Sequence, residues 1–216
     1  MNRIRSVVGR EAEVSAPVRC ACYAAWSALV ASPHDLDPRA SLRDKLGIGA
    51  AVEYGAALDA LLSEFVEVDL DTLKREYSGL FEVGSDGPPV PIREDLQTGQ
   101  RAGTREDLVR FYNYFNYTLG EKFAWAPDHL SVELEFMHYL CYRETTAESD
   151  LLSYQLAQVD FSERHLVGWL PKLAAAVETN SPGSQYGRVI SALCEFVVTD
   201  YDWQSGTIAP VDDSDG

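Results

Sequence analysis

The stretch "APDHLSVELEFMHYLCYRE", residues 126–144, decides the fold. A proline, an aspartate and a histidine lead into a run in which Leu130, Leu134, Met137 and Cys141 recur at i, i+4, i+7 and i+11, one side of an α-helix. Ser131, Glu135, His138 and Tyr142 form the opposite stripe, which reads as the solvent face. His129 and Glu133 fall on a flank that continues with Phe136 and Leu140. Where that flank packs, the Glu133 carboxylate is desolvated and needs a cation or donor, with His129, Arg110 and Arg164 as candidates. Asp128, just ahead of the helix, is placed either to cap it or to meet a ligand.

Working outward, the same period recurs. Val18, Cys22, Trp26 and Leu29 mark a first helix, opened by Ser15 and Pro17. A short helix is expected near residues 38–46. Longer ones carry Leu58, Leu61, Leu62 and Phe65, then Leu70, Leu73, Tyr77, Leu80 and Phe81. Residues 82–103 hold Pro88, Pro89 and Pro91, which cannot lie inside a helix and leave an extended loop. Thr104 with Asp107 resembles a capping box for an aromatic-rich helix that runs to Gly120. Two helices joined near Asp160, capped there by Asp160 or Ser162, and a final helix from Gln185 complete the pattern. The expectation is an all-α, single-domain bundle of roughly eight or nine helices, divided by the proline loop into N- and C-terminal groups. Its body spans residues 15–203, between a flexible N-terminus (1–14) and a disordered acidic tail (204–216).

The 34 acidic and 18 basic residues give a net charge of -16 over 216 residues. That excess opposes binding to nucleic acid and to anionic membranes, and favours a basic peptide or protein segment. No apolar run approaches the ~18 residues of a membrane span, and the N-terminus lacks the apolar core of a secretory signal. A cytoplasmic location follows as the expectation. Cys20, Cys22, Cys141 and Cys194 form neither a disulfide framework nor paired zinc-ligand spacings, and read as reduced, buried thiols.

Two chemistries compete for the opening stretch. His129, Glu133, Glu135 and His138 could serve a helical metalloenzyme, because Glu135-x-x-His138 is a spacing by which one bundle helix supplies two ligands. No second Glu-x-x-His exists in the chain, and this one falls on the solvent stripe. There is no Gly-x-Ser-x-Gly and no phosphate loop, so neither nucleophilic catalysis nor nucleotide binding has a motif behind it. The residues imply no metal site and no cofactor.

Three segments in order carry a family resemblance: "YSGLF" (77–81) followed by "PPVPIRED", then "APDHLSVELEFMHYL" (126–140), then "DFSERHLVGWLPKL" (160–173). Together they resemble the TorD/DmsD/NarJ family of redox-enzyme maturation chaperones, over about residues 70–200. The stretch "ELEFMHYLCYRE" is most similar to the subgroup serving type II enzymes of the dimethyl sulfoxide reductase family, whose clients include chlorate and selenate reductases. Two positions depart from the family pattern. Trp125 stands where a glutamate commonly opens the second motif, and Arg93 precedes Glu94 where an aromatic is frequent.

The resemblance implies a cytoplasmic, non-enzymatic chaperone. Its partner would be the molybdopterin-containing catalytic subunit of a type II enzyme, including its twin-arginine signal peptide, held until bis-molybdopterin guanine dinucleotide is inserted. Guanine nucleotide binding, proposed for some relatives, is a weaker implication. A basic leader with an apolar stretch would meet an acidic surface and an apolar groove. The candidate groove residues are Tyr77, Leu80, Phe81, Tyr112, Phe115 and Trp125, each of which could equally be core. Asp128, His129, Glu133 and Glu135 are the polar candidates, with Asp128 and His129 matching the family motif. His165 reads as a packed core histidine.

Overall fold

Helical spacing is realised almost throughout. The computed structural model describes residues 4–6, 10–52, 54–82, 84, 87–99, 103–120, 126–147 and 149–210. Among them the helices run α1 (Ala12–Val30), α2 (Arg39–Arg43), α3 (Ala56–Phe65), α4 (Leu70–Phe81), α5 (Glu94–Gln97), α6 (Thr104–Tyr114), α7 (Leu130–Thr146), α8 (Leu151–Ser162), α9 (Leu170–Asn180) and α10 (Gln185–Thr207). The all-α expectation holds for the body, and the helix beyond the expected count is α5, four residues inside the proline loop. One antiparallel pairing, β1 (Ile4–Ser6) with β2 (Ile208–Pro210), lies outside the bundle.

Helix α1 lies along α7, and α10 touches α1, α3, α4, α8 and α9. Trp26, Tyr23 and Phe196 meet in their shared core with ring centroids 5.5–5.7 Å from Phe196. Leu130, Leu134, Met137 and Cys141 are all buried, as their spacing requires.

Buried charges tie the chain ends to this core. Arg19 donates to Asp200 through Nε (2.7 Å) and Nη2 (2.9 Å), and Tyr23, Tyr54 and Gln204 also donate to Asp200. Arg10 pairs with Glu144 at 3.1 Å, and Gln155 and Gln158 donate to the same carboxylate. Arg10 and Arg19 both stack over Trp203. The expected boundaries therefore move outward. Helix α1 starts at Ala12 from Glu11, with Pro17 inside it, so Ser15 is no cap, and α10 continues past 203 to Thr207.

Three further boundaries differ for physical reasons. Helix α6 stops at Tyr114 instead of Gly120, because Asn116 turns left-handed (φ 55°). Tyr117 N–H then donates to Tyr112 O and Asn116 N–H to Asn113 O, the paired bonds of a Schellman ending. Its start is Gly103 (φ 101°), not a Thr104–Asp107 box, since Asp107 is engaged by Arg110 and Arg164. Helix α8 does not break at Asp160 but widens into a π-helical turn, Glu163–Val167, before α9 begins with Pro171 in its first turn.

Candidate functional site

The proline loop and the start of α7 are zipped together. Glu94 N–H donates to Asp128 O (3.0 Å) and Leu130 N–H to Ile92 O (3.2 Å), a bridge that sets Arg93 opposite His129. Pro91 contributes no N–H, but its carbonyl accepts from Gln97 Nε2 (2.7 Å). This pairing closes one side of a cavity of about 480 Å3, whose other side is the end of α4 and the chain after α1.

Tyr77 and Phe81 supply the apolar wall, with Pro88, Pro91, Ile92 and Leu96 facing them. They pack edge to face with each other and with Tyr186, which fixes their orientation. His129 stands at the inner end. Its Nδ1 accepts the Ser131 backbone N–H at 3.2 Å, so His129 itself caps α7. Nδ1 is thereby unprotonated, and Nε2–H points to the Tyr77 hydroxyl at 3.2 Å. Burial lowers the His129 pKa to about 4, so the ring is neutral at pH 7. The mouth is acidic: Asp35 and Glu82 line it, both exposed. Ser32 (3.1 Å) and Ser78 (2.9 Å) hold Glu82 in place by donating to it, and His34 Nε2 lies 2.7 Å from the Ser78 hydroxyl.

Asp128 neither caps the helix nor faces the cavity. Fully buried, it accepts from Arg93 Nη2 at 2.8 Å and Nε at 3.3 Å, with Arg105 a further 3.3 Å ion pair. Glu133 is also fully buried and has no ion pair among the described residues; Arg110 and Arg164 are both held by Asp107. Neither Glu133 oxygen has a well-formed hydrogen bond among the described residues. Burial, reinforced by the negative charges of Glu94 and Asp128, raises its pKa well above the usual carboxylate range, which favours the protonated acid. Behind it, His165 Nδ1 meets Glu94 Oε2 at 2.9 Å and its Nε2 lies 3.4 Å from Asp107, while Trp169 Nε1–H donates to the His165 carbonyl (2.6 Å).

The sequence candidates thus separate. Tyr77, Phe81 and His129 converge on the cavity. Leu80 and Tyr112 are core, the latter donating to Pro127 O at 2.8 Å. Phe115 lines a different groove, between α6 and α8. Glu135 is exposed, as its stripe predicted, but on that stripe Ser131 is buried and His138 half-buried. His138 Nδ1 lies 2.9 Å from the Cys20 carbonyl and Ser131 is buried with its own carbonyl accepting from Ser27, because α1 covers them. Trp125 lies outside the described residues. His129, Glu133, Glu135 and His138 therefore point to four environments, and among the described residues no three His, Cys, Asp or Glu side chains are grouped to hold a metal. Asp35, Glu82 and Arg93 were not among the sequence candidates. Asp35 and Glu82 are brought to the mouth from separate segments, and no local pattern marks them.

The family model described as nitrate reductase delta subunit matches residues 49–175, which hold both the cavity wall and α7. The chain belongs to this family. Two relatives are each 37% identical over 131 residues, 58% of this chain and 68% of theirs: the chlorate reductase assembly chaperone protein of Ideonella dechloratans and the selenate reductase assembly chaperone protein of Thauera selenatis. The perchlorate reductase assembly chaperone protein of Dechloromonas aromatica (strain RCB) is 40% identical over 122 residues, 54% of each chain. These names are those of assembly chaperones and not of catalysts, in agreement with the expectation of a non-enzymatic maturation chaperone. A crystal structure assigned to a redox enzyme maturation protein from Archaeoglobus fulgidus shares the fold, with a TM-score of 0.52 at 20% identity over 83% of this chain and 93% of that one. Among the described residues, no helix of this delta-subunit family member is long and apolar enough to cross a membrane.

Proposed function

We propose that this chain is a cytoplasmic chaperone dedicated to one molybdenum oxidoreductase of the type II dimethyl sulfoxide reductase group. It binds the catalytic subunit, including a twin-arginine signal peptide, and holds it until the molybdopterin cofactor is inserted. One observation carries the reading: an apolar cavity, walled by Tyr77, Phe81 and the proline loop, opens through a mouth bearing the carboxylates of Asp35 and Glu82. A leader presents the complementary chemistry, two guanidinium groups followed by an apolar stretch. The relatives named for chlorate, selenate and perchlorate reductases support an oxyanion reductase as the client class. His129 is neutral, and the positive charge of Arg93, which also lines the cavity, is balanced by the Asp128 carboxylate 2.8 Å away.

Calorimetric titration of the full chain with a synthetic twin-arginine leader peptide tests this. Binding should weaken with added salt and fall about tenfold in Asp35→Asn/Glu82→Gln, whose exposed positions leave the fold intact. A leader that binds the double variant as tightly as the unaltered chain, or binds neither, sinks the proposal.

A further inference from the structure

We propose that the groove between α6 and α8 is a second docking surface, fitted to a basic amphipathic helix of the client. The inference rests on the chaperone reading but not on the leader cavity, with which this groove shares no lining residue.

The groove measures about 690 Å3, larger than the leader cavity. Its origin is the early end of α6. Once Asn116 turns the chain away, Phe111 and Phe115 project from a helix that meets the body through rings: Phe111 on Phe161 at 5.4 Å and Phe115 on Tyr154 at 5.7 Å. Leu156 and Val159 of α8 form the opposite wall. Tyr114 stands at the edge with 76% of its surface exposed, the most exposed large apolar side chain described. An open groove lined by apolar side chains of two helices is what a helix-in-groove partner fills with its i, i+3, i+4 and i+7 anchors.

Charge selects the partner. The rim carries Asp107, Asp160 and Glu163 against Arg110 and Arg164, one carboxylate more than the guanidinium groups. Both arginines are already paired, Arg110 with Asp107 and Arg164 with Asp107 and Asp160, whereas Glu163 has no ion pair among the described residues. The rim therefore keeps an acidic excess for lysine or arginine on the flanks of an incoming helix. A second copy of this chain is a poor occupant, because two molecules of net charge -16 repel each other.

The full-length, 15N-labelled chain would be titrated with an 18-residue helical peptide bearing leucines at i, i+3, i+4 and i+7 and lysines on the flanks. A copy with glutamate for lysine serves as control, and the leader peptide is run in parallel. The lysine peptide should shift the amides of Tyr114, Phe115 and Leu156. Its affinity should drop about tenfold in Tyr114→Ala, a change at an exposed position, and in Leu156→Asp, and the glutamate peptide should bind at least about tenfold more weakly. Shifts confined to the leader cavity, affinity unmoved by both variants, equal binding of the two peptides, or a dimer that Leu156→Asp dissolves would each overturn the proposal. Leader binding without groove binding removes this inference alone, and groove binding without leader binding removes only the leader reading.

Discussion

The carboxylate of Glu94 lies 2.9 Å from Nδ1 of His165, joining the proline loop to the π-helical turn that follows α8. The relationship extends in both directions. Glu94 is the sequence neighbour of Arg93, which lines the cavity beside the proline loop and grips Asp128, and His165 reaches Asp107 on the rim of the α6–α8 groove. The two candidate docking surfaces are the ends of one buried polar chain.

His165→Ala should therefore do more than remove a ring from the core. It strands the Glu94 carboxylate, 5% exposed, without its partner, at a cost of about 3 kcal/mol. The loss should be local first. Because Glu94 and Leu130 amides close the zipper between the proline loop and α7, their hydrogen exchange should quicken before global unfolding. Urea denaturation with native-state exchange checks both, and an unchanged exchange rate at those two amides would detach His165 from the loop.

Asp128 and His129 are adjacent but should respond differently to alanine. Asp128→Ala removes the buried acceptor of Arg93 and Arg105, whose side chains keep access to water, and should destabilise by about 2–3 kcal/mol. His129→Ala loses a helix cap, about 1 kcal/mol, and the inner wall of the cavity. Leader affinity should thus fall in His129→Ala at a temperature where the protein remains folded. Thermal melts beside calorimetric titrations separate the two, and equal melting losses would return both residues to a structural role.

Much of the fold was legible because burial follows helical period: the stripe Leu130, Leu134, Met137, Cys141 is buried in full. The ends of helices were less legible. Asn116 is a residue type that ends helices, yet among tyrosines and phenylalanines its signal is lost until the φ of 55° is known. Solvent faces failed where a long-range neighbour intervened. His138 sits on a polar stripe, but α1, over a hundred residues earlier, covers it and offers the Cys20 carbonyl. The site was half legible. Tyr77, Phe81 and His129 lie in recognisable motifs, whereas Asp35 and Glu82 become a mouth only once α1 and α4 end side by side.

Arg19 and Asp200 offer a test of what holds the N-terminal helix to the last one. Both are buried, and Asp200 accepts from Arg19, Tyr23, Tyr54 and Gln204, which keeps its pKa below the usual carboxylate range despite burial. Asp200→Asn should cost about 3 kcal/mol, because it takes the bidentate carboxylate from a buried Arg19 and leaves that charge only Glu144, 3.6 Å away. The double change Arg19→Met/Asp200→Leu should recover part of that loss, since removing both partners avoids the stranded charge. Denaturant titrations of the unaltered chain, Arg19→Met, Asp200→Leu and the double variant form the cycle; additive losses would show that the two residues act independently.

Glu133 makes the sharpest pH prediction. Its carboxyl holds its proton to higher pH in the folded protein than in the unfolded chain, where it ionises at the ordinary value near 4.3. A raised folded pKa means that the stabilisation is complete below the unfolded value and is lost as pH rises towards the folded one. Glu133→Gln keeps the shape and neutrality of the buried group but cannot ionise when unfolded. The variant should match the unaltered protein at pH 4 and gain on it as pH rises to 8, by at most about 1.4 kcal/mol per pH unit while the folded acid stays protonated. Taking the difference between the two proteins cancels titrations they share, His129 among them, whose lowered pKa acts in the opposite sense by favouring the folded state above pH ~6.5. Urea midpoints across that range provide the measurement. A difference that stays flat from pH 4 to 8 would mean that Glu133 is ionised inside the protein, and that Arg93, Arg105 or His165 compensates it.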